Sequence, residues 1–275
     1  MENKNLHFQS FGSSSSGNAA LVWDDTTNIL IDCGFYPTYI QKHLRTIQKN
    51  LTDIHAVLVT HAHADHVNAY FIREMVNCNI PIYCHENIVE PIIKRHHHLL
   101  KQVHKNIFRS FSDNEFSIGA MNVRGFEVTH DSEGGCFGFT IRARVNGLQK
   151  KISIATDLAI PAPEIINEFA DANVMMIESN HDVDMLEKSP RTAWLKNRIR
   201  TTGHLSNDEC AQFAVEAVKK SLNSPHTIVL AHLSEQCNTH EIAHRCTTDA
   251  LTSAGYNHIT VLLTHKNMPG DVIEV

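Results

Sequence analysis

The sequence predicts an α/β fold of layered sheets, on three observations. Short apolar runs at residues 56–59 (AVLV), 152–155 (ISIA), 174–177 (VMMI) and 227–231 (TIVLA) read as buried strands. Stretches with helical spacing separate them. Each run leads at once into residues that bind metals or carry protons, His61, Asp157, Glu178 and His232 among them. At 275 residues with 42% hydrophobic content the chain has enough apolar mass for a large core. No Pro/Gly linker or shift in composition divides it, so one domain over residues 1–275 is expected.

Residues 6–11 (LHFQSF) alternate apolar and polar and read as a strand, which Gly12-Ser13-Ser14-Ser15-Ser16-Gly17-Asn18 breaks. By composition that run is a flexible loop; chemically it suits an anion nest, with Ser14, Ser15, Ser16 and Asn18 as substrate contacts. Strands at 19–23 and 28–31 form a hairpin ending in Asp32, whose buried carboxylate must find donors and so braces a neighbouring loop. Residues 39–48 have helical spacing with Ile40, Leu44 and Ile47 on one face. A second helix follows His66 and runs to about Cys78, then come a strand at 80–84 and a helical stretch at 86–103 interrupted near Pro91. His96, His97 and His98 occupy consecutive helical positions, point to different faces and cannot chelate one ion. Strands at 121–129 and 136–143 flank the loop that carries His130. Residues 207–222 form an amphipathic helix with Ser206 as its N-cap, opened by Gly203-His204-Leu205.

Charge and cysteine content exclude several classes. A formal charge of −6 argues against binding nucleic acid over the whole surface. Two basic clusters remain: Lys94, Arg95, Lys101, Lys105 and Arg109, with His104 among them, and Lys188, Arg191, Lys196, Arg198 and Arg200 around Trp194. They read as solvated faces or as rims that grip a phosphate backbone locally. Seven cysteines without a C-x-x-C pair point to reduced, packing thiols. No apolar run approaches the ~20 residues of a membrane span, and no signal peptide precedes the first strand, so a cytoplasmic location away from membranes is expected.

The densest chemistry is Thr60-His61-Ala62-His63-Ala64-Asp65-His66, three imidazoles and a carboxylate directly after a buried strand. Such nitrogen and oxygen donors suit zinc, manganese or iron. Asp32, His61, His130, Asp157, Glu178 and His232 all follow the end of an apolar strand. In a layered sheet protein those ends share one edge, so side chains distant in sequence can converge.

H-x-H-x-D-H at residues 61–66, then His130, Asp157 and His232, resembles the metallo-β-lactamase superfamily across essentially the whole chain. The likeness implies an αβ/βα four-layer sandwich, two mixed sheets with helices outside, and two divalent metal ions at one edge. It implies His61, His63 and His130 on the first ion, Asp65, His66 and His232 on the second, Asp157 between them, and Asp32 buried behind the metal loop. One departure is Asn68-Ala69, where many members have Gly-Gly. Gly203-His204-Leu205-Ser206 with Glu178 is similar to the phosphodiesterase branch of that superfamily. The serine run, residues 178–182 (ESNHD) and residues 232–235 (HLSE) are similar to the YycJ (WalJ)-like exonuclease group.

The resemblance implies a metal-dependent hydrolase cleaving phosphodiester bonds with a metal-bridging hydroxide, a nuclease acting 5′-to-3′ on DNA in preference to RNA. His204 is the candidate phosphate stabiliser or proton donor, Glu178 orients it, and Asp65 positions the nucleophile. His181 reads either as a second phosphate contact or as a surface histidine. Between Asp157 and His232 there is no Gly/Pro-rich arm like the tRNA-gripping insert of ribonuclease Z in the same superfamily, so the resemblance disfavours transfer-RNA maturation. The rival reading is a small-molecule hydrolase, a cyclic phosphodiesterase or lactonase on the same metals, which the acidic charge favours.

Overall fold

A computed structural model describes residues 5–100, 105–112, 114–223 and 225–275. Lys101, His104 and the 101–103 end of the expected helix lie outside the described residues. The first sheet carries, side by side, β1 (His7–Ser14), β2 (Gly17–Trp23), β3 (Asn28–Ile31), β4 (Ala56–Leu58), β5 (Ile82–His85) and β6 (Phe108–Phe111). The second carries β7 (Phe116–Ile118), β8 (Met121–Val128), β9 (Cys136–Val145), β10 (Leu148–Ala155), β11 (Val174–Glu178), β12 (Thr227–Ala231) and β13 (Thr260–Leu263). A short β14 (Ile273–Glu274) returns to the free edge of β1.

Both sheets are mixed. Antiparallel pairing through β3 gives way to parallel pairing from β3 to β6. Antiparallel pairing through β10 likewise gives way to parallel pairing from β10 to β13. Parallel strands end at one edge, and the ligand-type residues follow those ends.

The helices are α1 (Pro37–Thr46), α2 (Ala69–Asn77), α3 (Glu86–Arg95), α4 (His97–Leu100), α5 (Pro163–Phe169), α6 (Val183–Lys188), α7 (Ala193–Arg198), α8 (Asn207–Lys220) and α9 (His240–Ser253). The uninterrupted apolar runs are explained by burial on both faces of the sheet. In β11, Val174 and Met176 join the core between the sheets, whereas Met175 and Ile177 join a second core under α5, α8 and α9. In β12, Val229 and Ala231 face the first core and Ile228 and Leu230 the second. Ile40 and Leu44 of α1 and Phe71, Ile72 and Met75 of α2 close the outer face of the first sheet. The layers are therefore helix, sheet, sheet, helix.

Three expectations change. The serine run is not a loop: β1 continues to Ser14, β2 begins at Gly17, and only Ser15 and Ser16 turn. Gly12 and Gly17 are there because a Cβ at either would fall within 2.8 Å of the Phe35 ring. Pro91 lies inside α3, and the helix breaks instead at His96. Asn68, the departure from Gly-Gly, caps α2, its side chain accepting from the N–H groups of Tyr70 and Phe71. The strands β6, β7, β13 and β14 and the helix α9 carry too weak a periodicity to stand out; α9 buries only Ala243, Thr247 and Leu251.

Gly34 follows β3 where two backbones touch. A Cβ there would lie 1.7 Å from the Asp65 carbonyl oxygen. Gly34→Ala is expected to destabilise the protein by about 2–3 kcal/mol, as overpacking against backbone does. A lowered thermal midpoint checks it, and an unchanged midpoint would contradict the contact.

Candidate metal centre

The parallel register Ile31↔Leu58 sets Asp32 beside the start of the histidine motif. Asp32 Oδ1 accepts the Thr60 N–H at 2.9 Å, and Oδ2 accepts from His66 Nδ1 at 2.7 Å. With Nδ1 bound to a carboxylate, His66 presents Nε2 to the centre. Two residues here adopt the left-handed backbone that side chains disfavour, Asp32 at φ 58° and His232 at φ 54°. His232 is clamped at both ends: its N–H donates to Ser13 Oγ at 3.0 Å, and its carbonyl accepts from Asn180 Nδ2 at 2.8 Å. Held strain of this kind is found where a side chain must be aimed off a strand end.

The structure brings His61, His63 and His130 together, with ligand atoms within 4.8 Å of one another. His63 Nδ1 lies 3.0 Å from His61 Nε2 and 3.3 Å from His130 Nε2. Nitrogens around a tetrahedral zinc are about 3.4 Å apart, so this spacing fits an ion. His130 Nδ1 donates to the Gly203 carbonyl at 2.7 Å, which leaves Nε2 to face the other two rings.

A second group joins Asp65, His66 and His232 at the same closeness. Asp65 Oδ2 is 3.5 Å from Nε2 of both His66 and His232. Asp157 stands between the groups, Oδ2 at 3.0 Å from His66 Nε2 and Oδ1 at 3.7 Å from His130 Nε2. The Asp157 Oδ2 contact lacks hydrogen-bond geometry, and His232 Nε2 is also buried without a hydrogen-bond partner among the described residues. Buried donor atoms left unpaired and aimed at a common point fit a divalent cation.

Glu178 is fully buried at the end of β11 and uses both oxygens. Oε2 accepts the N–H groups of Leu158 at 2.7 Å and Leu205 at 3.3 Å. Oε1 accepts from His204 Nδ1 at 2.7 Å and His232 Nδ1 at 3.0 Å. One carboxylate thus ties the loops after β10, β11 and β12 to the start of α8. The His204 ring lies 5.1 Å from the rings of both His130 and His232. It keeps 21% of its side chain exposed, against 2% for His232, so His204 reaches solvent at the mouth where His232 does not.

The electrostatics of the two groups differ. Burial, with His66, His130 and His63 nearby, drives the His61 imidazole well below its usual range, and burial beside His130 takes His63 to about 4. Both are neutral and ready to bind metal at pH 7. Burial alone would also lower His66 and His232, but Asp157, Asp32 and Asp65 hold His66 well above its usual range. Asp157, Asp65 and Glu178 likewise raise His232 to about 10. Burial opposes ionisation of Asp157 and Asp65, yet the imidazoles prevail: Asp157 falls well below the carboxylate range and Asp65 to about 2. Glu178 is lowered by His204 and His232 against burial, while in Asp32 burial outweighs His66 and the carboxyl is raised.

Of the expected substrate contacts, Ser15 and Ser16 are exposed in the hairpin turn, whereas Ser14 and Asn18 are buried. Asn18 braces the histidine loop, its N–H donating to the Asp65 carbonyl at 2.7 Å and its Nδ2 lying 2.9 Å from His66 Nε2. His181 is buried too, its backbone carbonyl accepting the Asn207 N–H at 2.8 Å and its Nδ1 unpaired among the described residues. Sequence reasoning missed Ser13, Asn180 and Asp131. Asp131 forms an ion pair with Arg198 beside His130, and its place next to a ligand-type histidine was the available signal.

A model of the β-lactamase superfamily domain matches residues 27–232. The chain is 27% identical over 254 residues to exodeoxyribonuclease YycJ of Bacillus anthracis, across 91% of each protein. It is 28% identical over 245 residues to exodeoxyribonuclease WalJ of Streptococcus pneumoniae, across 88% of this chain and 87% of that protein. Among solved structures, the metallo-β-lactamase fold protein YhfI from Bacillus subtilis aligns over 98% of this chain and 100% of that chain, with a TM-score of 0.68 at 16% identity, a likeness of fold.

A cation bound at the second group would displace protons from His66 and His232. Titrating zinc into chelator-treated protein at pH 7 is therefore expected to release protons, read by calorimetry in buffers of different ionisation enthalpy. The raised His232 stabilises the metal-free fold fully below pH 6.5, a contribution lost as pH rises towards about 10. The depressed Asp65 contributes above pH 3.8 and is lost as pH falls towards about 2. Chelated protein should thus lose thermal stability from pH 6.5 upwards; a flat profile with no proton release would contradict these charge states.

Proposed function

The chain belongs to the metallo-β-lactamase superfamily, and from that premise we propose that it is a binuclear metal-dependent phosphodiesterase, a nuclease acting 5′-to-3′ on DNA ends. The observation that carries this reading is the His204 Nδ1 to Glu178 Oε1 bond of 2.7 Å at the mouth of the centre. Two relatives named exodeoxyribonuclease, each matched over nearly nine-tenths of its length or more, support DNA as the substrate.

On this reading His61, His63 and His130 would hold one divalent ion and Asp65, His66 and His232 a second, with Asp157 between the two groups; zinc and manganese suit the donors, and iron is compatible. When bound, such ions lower the pKa of water and offset negative charge on a phosphate. The protein's own side chains supply the rest. Asp65, kept ionised by His66 and His232, accepts a hydrogen bond from the attacking water and sets its direction. His204, with Nδ1 committed to Glu178, presents Nε2 to the substrate, where it stabilises the phosphate oxygen or protonates the leaving alkoxide. Glu178 is a positioning residue: it fixes the ring and, through Leu158 and Leu205, the loops around it. The formal charge of −6 favours a second reading, a cyclic phosphodiesterase or lactonase on the same centre.

End-labelled DNA and RNA offered to protein loaded with zinc, manganese or magnesium separate the two. Shortening of DNA from its 5′ end supports the nuclease; hydrolysis of a small cyclic phosphodiester or lactone with both polymers intact supports the second reading. His204→Ala is expected to lower phosphodiester turnover about 10²–10⁴-fold with metal content unchanged. Loss of metal in that variant would make His204 a ligand rather than a substrate contact.

A further inference from the structure

Between Glu178 and His204 the chain forms a strap tied to the edge of the centre at His130. It comprises α6, α7 and a wide helical turn, Ile199–Gly203, that delivers His204. Its only apolar anchor among the described residues is a small cluster of Leu186, Ile199 and Cys237, against which Leu195 packs. Polar ties fix it on two sides. Arg198 pairs with Asp131 next to His130, and the Gly203 carbonyl accepts from His130 Nδ1. Arg191 Nη2 donates to Gln236 Oε1 at 3.4 Å, in the loop that follows His232.

α7 buries none of its residues, and Trp194 is 72% exposed. Trp194 stands one turn before Arg198 and three residues after Arg191, so it lies between the two ties. Exposing an indole forgoes the burial that usually keeps tryptophan inside. Residues 183–200 hold five cations against two acids, a net charge of +3 on a chain of formal charge −6. Arg200 and Lys188 meet Glu187 and Asp184 within the strap. Arg191 and Lys196 meet only an amide and a carbonyl oxygen, with no carboxylate partner among the described residues. An exposed aromatic face between uncompensated cations is the pattern that binds single-stranded polynucleotides, by stacking on a base and neutralising its phosphates.

We propose that Trp194 is a stacking platform for a nucleobase of a single-stranded polynucleotide entering the centre, with Arg191 and Lys196 gripping the adjoining backbone. The proposal rests on the phosphodiesterase reading and adds to it a demand for an unpaired base on the strap.

The chain has two tryptophans, and Trp23 is buried with its ring 5.0 Å from that of His7. Solvent-exposed indole emission therefore reports on Trp194. Metal-loaded protein is titrated with a short phosphorothioate oligothymidylate, its ribonucleotide counterpart, and an abasic strand of equal length. Base-bearing strands are expected to quench the exposed emission, and the abasic strand to leave it unchanged; the DNA and RNA arms show which sugar is accepted. By anisotropy of a labelled strand, Trp194→Ala should raise Kd for oligothymidylate about tenfold, the scale of one stacked base, while Trp194→Phe retains most of the affinity. The abasic strand should bind both variants as it binds the wild type.

Absence of quenching, or equal weakening for base-bearing and abasic strands, would overturn the platform. Cleavage of unmodified strands by the wild-type protein is scored separately. Strands cut without quenching would remove the platform and leave the phosphodiesterase reading standing. Strands that quench but are never cut would do the reverse.

Discussion

A buried carboxylate must be paired, and three of them, Asp32, Asp157 and Glu178, sit at strand ends within this core. Asp32 takes His66 by Nδ1, and Glu178 takes both His204 and His232 by Nδ1. Each of those bonds turns the remaining Nε2 away from its carboxylate. The orientation of the His66, His204 and His232 rings is thus set through Nδ1, by buried carboxylates. Truncating one of these carboxylates would strand a buried imidazole as well as free a ring, which is why they hold the fold and the site together.

The sheets make this possible by ending together. Parallel pairing from β10 to β12 aligns Ala155 with Ile177 and Glu178 with Ala231, so Asp157, Glu178 and His232 emerge at one edge. A buried amide network then locks the loops. Asn207 and Asn238 bond each other at 2.9 Å, Asn238 Nδ2 donates to the Ser179 carbonyl at 2.9 Å, and Asn180 holds the His232 carbonyl. Fully satisfied networks of this kind rigidify the element they bridge. The strap with Trp194 has almost no such core, which suits a surface that meets a flexible strand.

What could be read from sequence follows from which interactions leave a local mark. Runs such as Val174, Met175, Met176 and Ile177 announced strands buried on both faces, and the residues just past them announced the edge. The serine run did not reveal its hairpin, because its glycines answer to the distant Phe35 ring. The helix α9 was silent since it packs through Ala243, Thr247 and Leu251, a stripe too small and too polar for periodicity to register. Glu178 and His204 could each be singled out, but their bond spans 26 residues and only the fold shows it. Ser13 looked like three other serines; its tie to His232 crosses 219 residues.

Chemistry at this edge depends on where cations settle among the imidazoles, so locating them is the most direct test. Anomalous diffraction from crystals grown with zinc or manganese does so. A binuclear centre oriented by the buried carboxylates predicts one peak among His61, His63 and His130 and another among Asp65, His66 and His232, both beside Asp157. Asp157, Glu178, His204 and His232 also bring ligand atoms within 4.8 Å of one another. A peak held by that group would contradict the assignment, because Glu178 and His204 would then be ligands rather than a positioning carboxylate and the imidazole it presents to the substrate.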